Sequence, residues 1–235
     1  MILVDKQIGE VVAAEHVRID PFEPKQIQPA SYDLRVGAQG ISTTSKQVVN
    51  IDEKGYFELR PGDFAVVLTR EVLSFNDSYT ARIGLRSKYA RKGIIATTGP
   101  QIDPGFNGRL KIGITNLSPH AIAMPFEDDF ITIEIHKLHM PCQKPYAGDY
   151  QGDTELSPRD IEAVVEGDNI GFAKMLDTMR ALSKNVSELT INVDKHLKQT
   201  EIALQQNKSI MWLVGIGLAI IGLMTGLNGL MIAVS

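Results

Sequence analysis

The segment Ile102-Asp103-Pro104-Gly105-Phe106-Asn107-Gly108 constrains this chain more than any other. Pro104 fixes φ, Gly105 permits positive φ, and Asn107-Gly108 is expected to close a hairpin. An alternating strand follows and ends at Asn116. Just upstream stands a cluster of Arg86, Ser87, Lys88 and Arg91. Arginine offers a planar fork of donors, lysine a point charge and serine a small donor, a set that suits a polyphosphate. Asp103 sits at the mouth of the turn, where a carboxylate can orient a water or a sugar hydroxyl. The same residues also read as a surface hairpin with a solvated charge run.

Strand signals dominate from Ser31 to Leu138. Phe64 to Leu68 is an apolar run, and Leu110 to Ile114 and Phe130 to Ile135 alternate. Glycine, proline and asparagine punctuate these segments at short intervals. The pattern predicts a mainly β fold, a barrel or jelly roll of many short strands. Ahead of it, Met1 to Val12 reads as a short helix with Asp5 as a cap. Pro21, Pro24 and Pro29 then force extended chain. A formal net charge of -4 implies no general affinity for nucleic acid. The single cysteine, Cys142, excludes an intrachain disulfide framework and fits a reducing compartment. None of the five histidines has zinc-ligand spacing with it. His136 and His139 are expected on opposite faces of one strand. No charged-then-apolar leader opens the sequence, so secretion is not expected.

Past Gly152 the character changes. Residues 153–171 read as a linker with a short helix, Ser157 as its cap and Pro158 at its first position. Over 172–209, steps of three and four give Phe172, Met175, Met179, Leu182, Val186, Leu189 and Val193. The stripe continues, more polar, through His196, Thr200, Ala203 and Asn207. This predicts a coiled-coil stalk; the alternative is one amphipathic helix packed on the β domain. Residues 210–234 contain no charged residue over 25 positions, a length that suits a transmembrane helix with Trp212 as an interfacial anchor. Small residues at Gly215, Ala219, Gly222, Gly226, Gly229 and Ala233 share one face. Lys195, Lys198 and Lys208 precede the span, so a tail-anchored topology with the β domain in the cytoplasm is expected.

The β region resembles the dCTP deaminase / trimeric dUTPase family. RSKYARKG is similar to that family's phosphate motif, and TTGPQIDPGFNG to its base- and sugar-binding hairpin. IQPASYDLR, LRPGD and YAGDYQG resemble three further elements in family order, so the likeness covers about residues 1–152. It implies a β fold that forms homotrimers with sites between subunits. It implies phosphate contacts from Arg86, Ser87 and Arg91, with Lys88 where the family has a second serine. Thr98 and Gly99 would meet a base edge, Asp103 the sugar and a water, and Tyr146, Tyr150 and Gln151 would close over the ligand. The ligand class is a pyrimidine deoxynucleotide, dCTP, dUTP or dTTP, with Mg2+ bound through its phosphates if the chain is active.

The departures decide the expected function. Where dCTP deaminases carry a proton-shuttling glutamate, this sequence has Gly113. Deamination needs such a group, because water must lose a proton and ammonia must gain one. Asp149 replaces a phosphate-facing lysine, and Pro100 and Gln101 replace polar or basic residues. A zinc deaminase is excluded by the missing His/Cys ligand set. Three readings follow: a nucleotide sensor or effector on a membrane stalk, for example in defence against phage; a dUTPase-like hydrolase using Asp103; and a structural trimerisation cap. Asp103 itself reads either as catalytic or as a cap on the backbone of Gly105 or Phe106.

Overall fold

A computed structural model describes residues 1–166 and 172–233. The chain divides into two units, Met1–Leu176 and Asp177–Ser235. In the first, the elements run α1 (Asp5–Ala13), β1 (Val17–Asp20), β2 (Ile27–Gln28), β3 (Ser31–Ser42), β4 (Val49–Asn50), α2 (Ile51–Lys54), β5 (Tyr56–Leu59), β6 (Phe64–Phe75), β7 (Tyr79–Leu85), α3 (Ser87–Ala90), β8 (Ile94–Ala96), β9 (Gln101–Ile102), β10 (Asn107–Asn116), β11 (Ile122–Pro125), β12 (Asp129–Lys137) and α4 (Pro158–Glu166).

The alternating segments all became strands. The main sheet runs β8-β10-β6-β3-β12-β7-β9, with β1 added on β6 and β2 and β4 on β3. A separate ribbon pairs β11 with β5. The two longest strands, β3 and β6, lie side by side near its middle. The strands β8 and β9 end the order, and residues 97–100 join them. That loop bonds both halves: Thr97 N–H donates to Gly113 C=O, and Ile83 N–H to Pro100 C=O, each at 2.8 Å. The sheet therefore curls around one apolar core that includes Tyr32, Leu34, Phe57, Ile112, Phe130 and Ile133, all essentially inaccessible.

The turn at 102–108 differs from a closed hairpin. Gly105 has φ +86° and Gly108 +144°. Yet β9 pairs with β7, through Ala81 and Ile102, while β10 pairs with β6, through Asn107 and Ser74. Asn107-Gly108 thus begins a strand, and the turn carries the chain between two halves of the sheet. The N-terminal helix starts at Asp5, not Met1, because Leu3 N–H is spent on Ile135 C=O at 2.9 Å. Val4 is the N-cap, its N–H donating to Gln7 Oε1 at 3.2 Å. His139 lies beyond β12, which ends at Lys137.

Ser157 caps α4 as the sequence suggests. Its N–H donates to Asp160 Oδ2 at 2.7 Å, and Asp160 N–H donates back to Ser157 Oγ at 3.3 Å, a reciprocal capping box. Val164 on α4 is fully buried, so the short helix expected within 153–171 packs one side chain into the interior.

The helix α5, Phe172–Ala233, is continuous over 62 residues. Met179, Leu182, Val186, Leu189 and Val193 are each more than half exposed along it. The side chains of Phe172 and Met175, the first two of the predicted stripe, lie outside the described residues, as do those of Ile221 and of 224–234. Among the described residues no helix is long and apolar enough to cross a membrane, so the span expected over 210–234 is not shown.

Candidate functional site

The basic cluster is built at the junction of β7 and α3. Arg86 caps α3 with extended backbone, its N–H donating to Phe130 C=O at 2.9 Å. Its guanidinium ion-pairs with Asp33, a buried carboxylate on β3. Gln28, Ser31, Asp33, Arg86, Ser87 and Lys88 line one cleft there. Ser87 is exposed at the first position of α3.

Lys88 does not offer a free charge. Its ammonium donates to Asp128 Oδ1 at 2.7 Å, and the Tyr89 hydroxyl donates to Oδ2 of the same carboxylate at 2.6 Å. Burial alone would raise the Asp128 pKa, but the hydrogen bonds from Lys88 and Tyr89 and the charges of Lys88 and Lys92 outweigh it and hold the carboxyl below its ordinary range. The Tyr89 phenol is pushed far up, first by burial and then by its bond to that carboxylate. Arg91 closes α3, with its N–H on Ser87 C=O at 2.9 Å. Its exposed guanidinium has no partner within the chain among the described residues.

On the turn, Asp103 is exposed. Its carboxylate accepts from Gln101 Nε2 at 2.8 Å, while its main-chain carbonyl accepts from Phe106 N–H at 3.2 Å. The backbone, not the carboxylate, closes the turn. Thr98 Oγ1 accepts from Gly113 N–H at 2.6 Å. Gly99 is open, with nothing near where a Cβ would stand.

The arm 146–152 folds onto this same turn. Tyr146 packs on Phe106, ring centroids 5.8 Å apart, and its N–H donates to Pro104 C=O at 2.7 Å. Gln151 Nε2 donates to Gly105 C=O at 2.9 Å, and its Oε1 accepts from Asn107 N–H at 3.1 Å. Tyr150 is half exposed, and its ring lies under the Lys111 ammonium at 5.3 Å. Asp149 pairs with Arg159 of α4 at 2.6 Å, so it faces no anion here.

The dCTP deaminase-like family pattern matches residues 2–127, more than half of the sequence. The chain is also 34% identical over 156 residues to the dCTP deaminase of Thermococcus sibiricus, covering 66% of this chain and 95% of that protein. The chain belongs to the dCTP deaminase-like family. A "dCTP deaminase, dUMP-forming" of Methanoregula boonei is 35% identical over 136 residues, covering 52% of this chain and 74% of that one. Among solved structures, the 2'-deoxycytidine 5'-triphosphate deaminase of Agrobacterium tumefaciens is 21% identical, covering 59% of this chain and 48% of that one, with a TM-score of 0.49.

Within this dCTP deaminase-like domain, Gly113 is buried on β10. A Cβ there would stand 2.7 Å from Thr97 Oγ1 and 3.3 Å from the Phe64 ring. The Thr97 hydroxyl crowds the place where a longer side chain would begin. The structure brings Arg86, Ser87 and Lys88 together in one cleft, and Asp103, Tyr146 and Gln151 around one turn. The two groups do not share that cleft. Sequence reasoning missed Asp33, Asp128, Lys111, Asp153 and Asp160 as polar partners. Only Asp33 carried a signal, through its place in IQPASYDLR. Among the described residues no group of three or more His, Cys, Asp or Glu could hold a metal ion.

Proposed function

We propose that this chain is a membrane-tethered pyrimidine deoxynucleotide-binding protein, a sensor or effector without deaminase activity of the usual kind. The observation that carries the reading is Gly113. It has no group to move a proton between water and ammonia, and Thr97 Oγ1 occupies the space beside it. Anion binding is supported by Arg91, unpaired among the described residues, by the exposed Ser87 and by the partly exposed Arg86. Trimers with sites between subunits would bring the cleft and the turn of different copies together. The exposed stripe on α5 suits a coiled coil that transmits a change in trimer packing. Tethering rests on the sequence: 25 uncharged residues from Ile210, with Lys195, Lys198 and Lys208 before them placing the domain in the cytoplasm.

A second reading is favoured by Asp103, whose exposed carboxylate bonds only Gln101 among the described residues. A water oriented by it would attack a phosphate of dUTP, releasing deoxynucleoside monophosphate and diphosphate. With no metal cluster of its own among the described residues, the chain would take Mg2+ through the phosphates, where the ion neutralises charge. One experiment separates the readings: incubate the protein with Mg2+ and each of dCTP, dUTP and dTTP, and follow bound ligand and products. Binding without turnover is expected. Diphosphate release abolished by Asp103→Asn would establish the hydrolase, ammonia from dCTP would overturn the role given to Gly113, and no binding at millimolar nucleotide would end the sensor reading.

A further inference from the structure

A second cleft opens at the far end of β3. Ser31, at the start of that strand, lines the cleft beside Arg86; Ser42, at its end, lines the other, and the two clefts share no lining residue. At about 3.3 Å per residue they lie roughly 35 Å apart along the strand. The second cleft has a volume of about 290 Å³, and Ser42, Thr44, Lys54, Glu58, Arg60 and Asp63 line it. Two glycine turns build its rim. Gly55, with φ +84°, ends α2 directly after Lys54, and Gly62, with φ +82°, follows Arg60-Pro61. Gly40 shapes the floor. A Cβ there would stand 3.0 Å from the Phe57 ring, so its absence lets that ring pack against β3 beneath the cleft.

The acids of this cleft are engaged. Asp63 is buried, and its Oδ1 accepts from the hydroxyls of Thr43 at 3.1 Å and Thr44 at 2.5 Å. Its Oδ2 accepts from Arg60 N–H at 3.0 Å. Glu58 accepts from Arg60 Nε at 3.1 Å. The donors are not all used. The Nη groups of Arg60 have no hydrogen-bond partner among the described residues. Lys54 stands over the Tyr56 ring, 4.7 Å from its centroid, and has no carboxylate partner among the described residues. Ser42 is only 2% exposed. Its hydroxyl accepts from Ser45 N–H at 3.1 Å, while its own proton has no acceptor among the described residues.

We propose that this cleft is a second anion site, which binds inorganic phosphate between Lys54, Arg60 and the Ser42 hydroxyl. The Arg60 fork can meet two phosphate oxygens, Lys54 brings a point charge, and Ser42 supplies a short, buried donor. The volume decides the size of the ligand. Pockets for drug-sized molecules run from about 300 to 1,000 Å³, so this cleft suits a phosphate and its waters rather than a whole nucleotide. The charges set the strength. Lys54 and Arg60 are balanced by Glu58 and Asp63, so the affinity is modest. Glu58 is the brake, because it already holds the guanidinium that a phosphate would take. The site is independent of the nucleotide reading and stands or falls without it.

The test uses the full chain, with inorganic phosphate as the probe and chloride at equal ionic strength as the control. Amide hydrogen exchange is followed by segment while phosphate is titrated. Phosphate should slow exchange over 42–45 and 60–63. Lys54→Met should weaken that protection about two- to fivefold in apparent affinity, the size of one exposed ion pair. Glu58→Gln frees the Arg60 fork and should tighten binding by a similar factor, a gain that a merely structural Glu58 would not give. Both positions are at the surface of the cleft, so both variants are expected to fold. Exchange over 42–63 no slower in phosphate than in chloride would overturn the site. So would equal protection in wild type and Lys54→Met, or weaker binding by Glu58→Gln. Protection confined to Arg86–Arg91 would put phosphate in the first cleft alone and overturn the second, while leaving the nucleotide reading intact.

Discussion

Arg35 Nε donates to Glu71 Oε1 at 2.7 Å inside the sheet, with side-chain exposures of 3% and 0%. Arg35 N–H donates to the other carboxylate oxygen at 3.0 Å. Burial pushes the Glu71 pKa up, and the bonds from Arg35 offset part of that. The pair joins β3 to β6, the two strands on which the rest of the sheet is assembled. Glu71→Ala leaves the guanidinium without that partner in the interior. The expected loss is about 3–5 kcal/mol of unfolding free energy, read from a denaturant midpoint. A loss below about 1 kcal/mol would show that water or Glu23, 3.6 Å away, replaces the partner.

Asp128 sets an acid limit on stability. Its folded pKa lies below the ordinary aspartate value near 3.9, so the unfolded chain binds the proton first as pH falls. The stabilisation is complete above that value and is lost as pH drops through the folded pKa. Lys88→Met removes the first-named of the two hydrogen bonds that hold the shift, so its acid unfolding midpoint should move to higher pH. A midpoint unchanged from wild type would mean that Tyr89 and the charge of Lys92 sustain Asp128 without Lys88.

Gly113 and Thr97 should be coupled. Gly113→Ala brings a methyl to within 2.7 Å of Thr97 Oγ1, and either that side chain or the strand must shift. A cost of about 1–3 kcal/mol is expected in the wild-type background. In a Thr97→Ala background the contact is gone, and most of that cost should vanish. A double-mutant cycle on thermal or denaturant unfolding measures the difference. Equal costs in both backgrounds would mean that the Phe64 ring, not the hydroxyl, sets the limit.

Local patterns were legible in the sequence. Alternation in Leu110–Ile114 and Phe130–Ile135 predicted strands, and Ser157-Pro158 predicted a capped helix, because both signals act within a few residues. Register was not legible. Asn107-Gly108 is a strong hairpin signal, yet β9 and β10 find different partners, since pairing is decided across the sheet. The same holds for the site. Arg86, Ser87 and Lys88 do meet in one cleft, but Lys88 is neutralised by Asp128, 40 residues away. Lys111 gave no warning because Asp153 and Asp160 reach it only through the folded arm and α4.

That difference in partners makes Arg91 and Lys88 unequal toward a phosphate. Both stand in RSKYARKG, and charge alone would rank them together. Lys88 already donates to a carboxylate at 2.7 Å, so a phosphate must draw it away from Asp128. Arg91 has no such partner among the described residues and keeps its fork of donors free. An unpaired arginine meeting phosphate gives a charge-assisted pair worth about 1.5–3 kcal/mol. Arg91→Ala should therefore weaken dUTP or dCTP binding by about tenfold or more, and Lys88→Met by less than about threefold. Titration calorimetry on the two variants decides the order. The reverse order would place the phosphates over Lys88 and would show that Asp128 gives up its partner when the nucleotide binds.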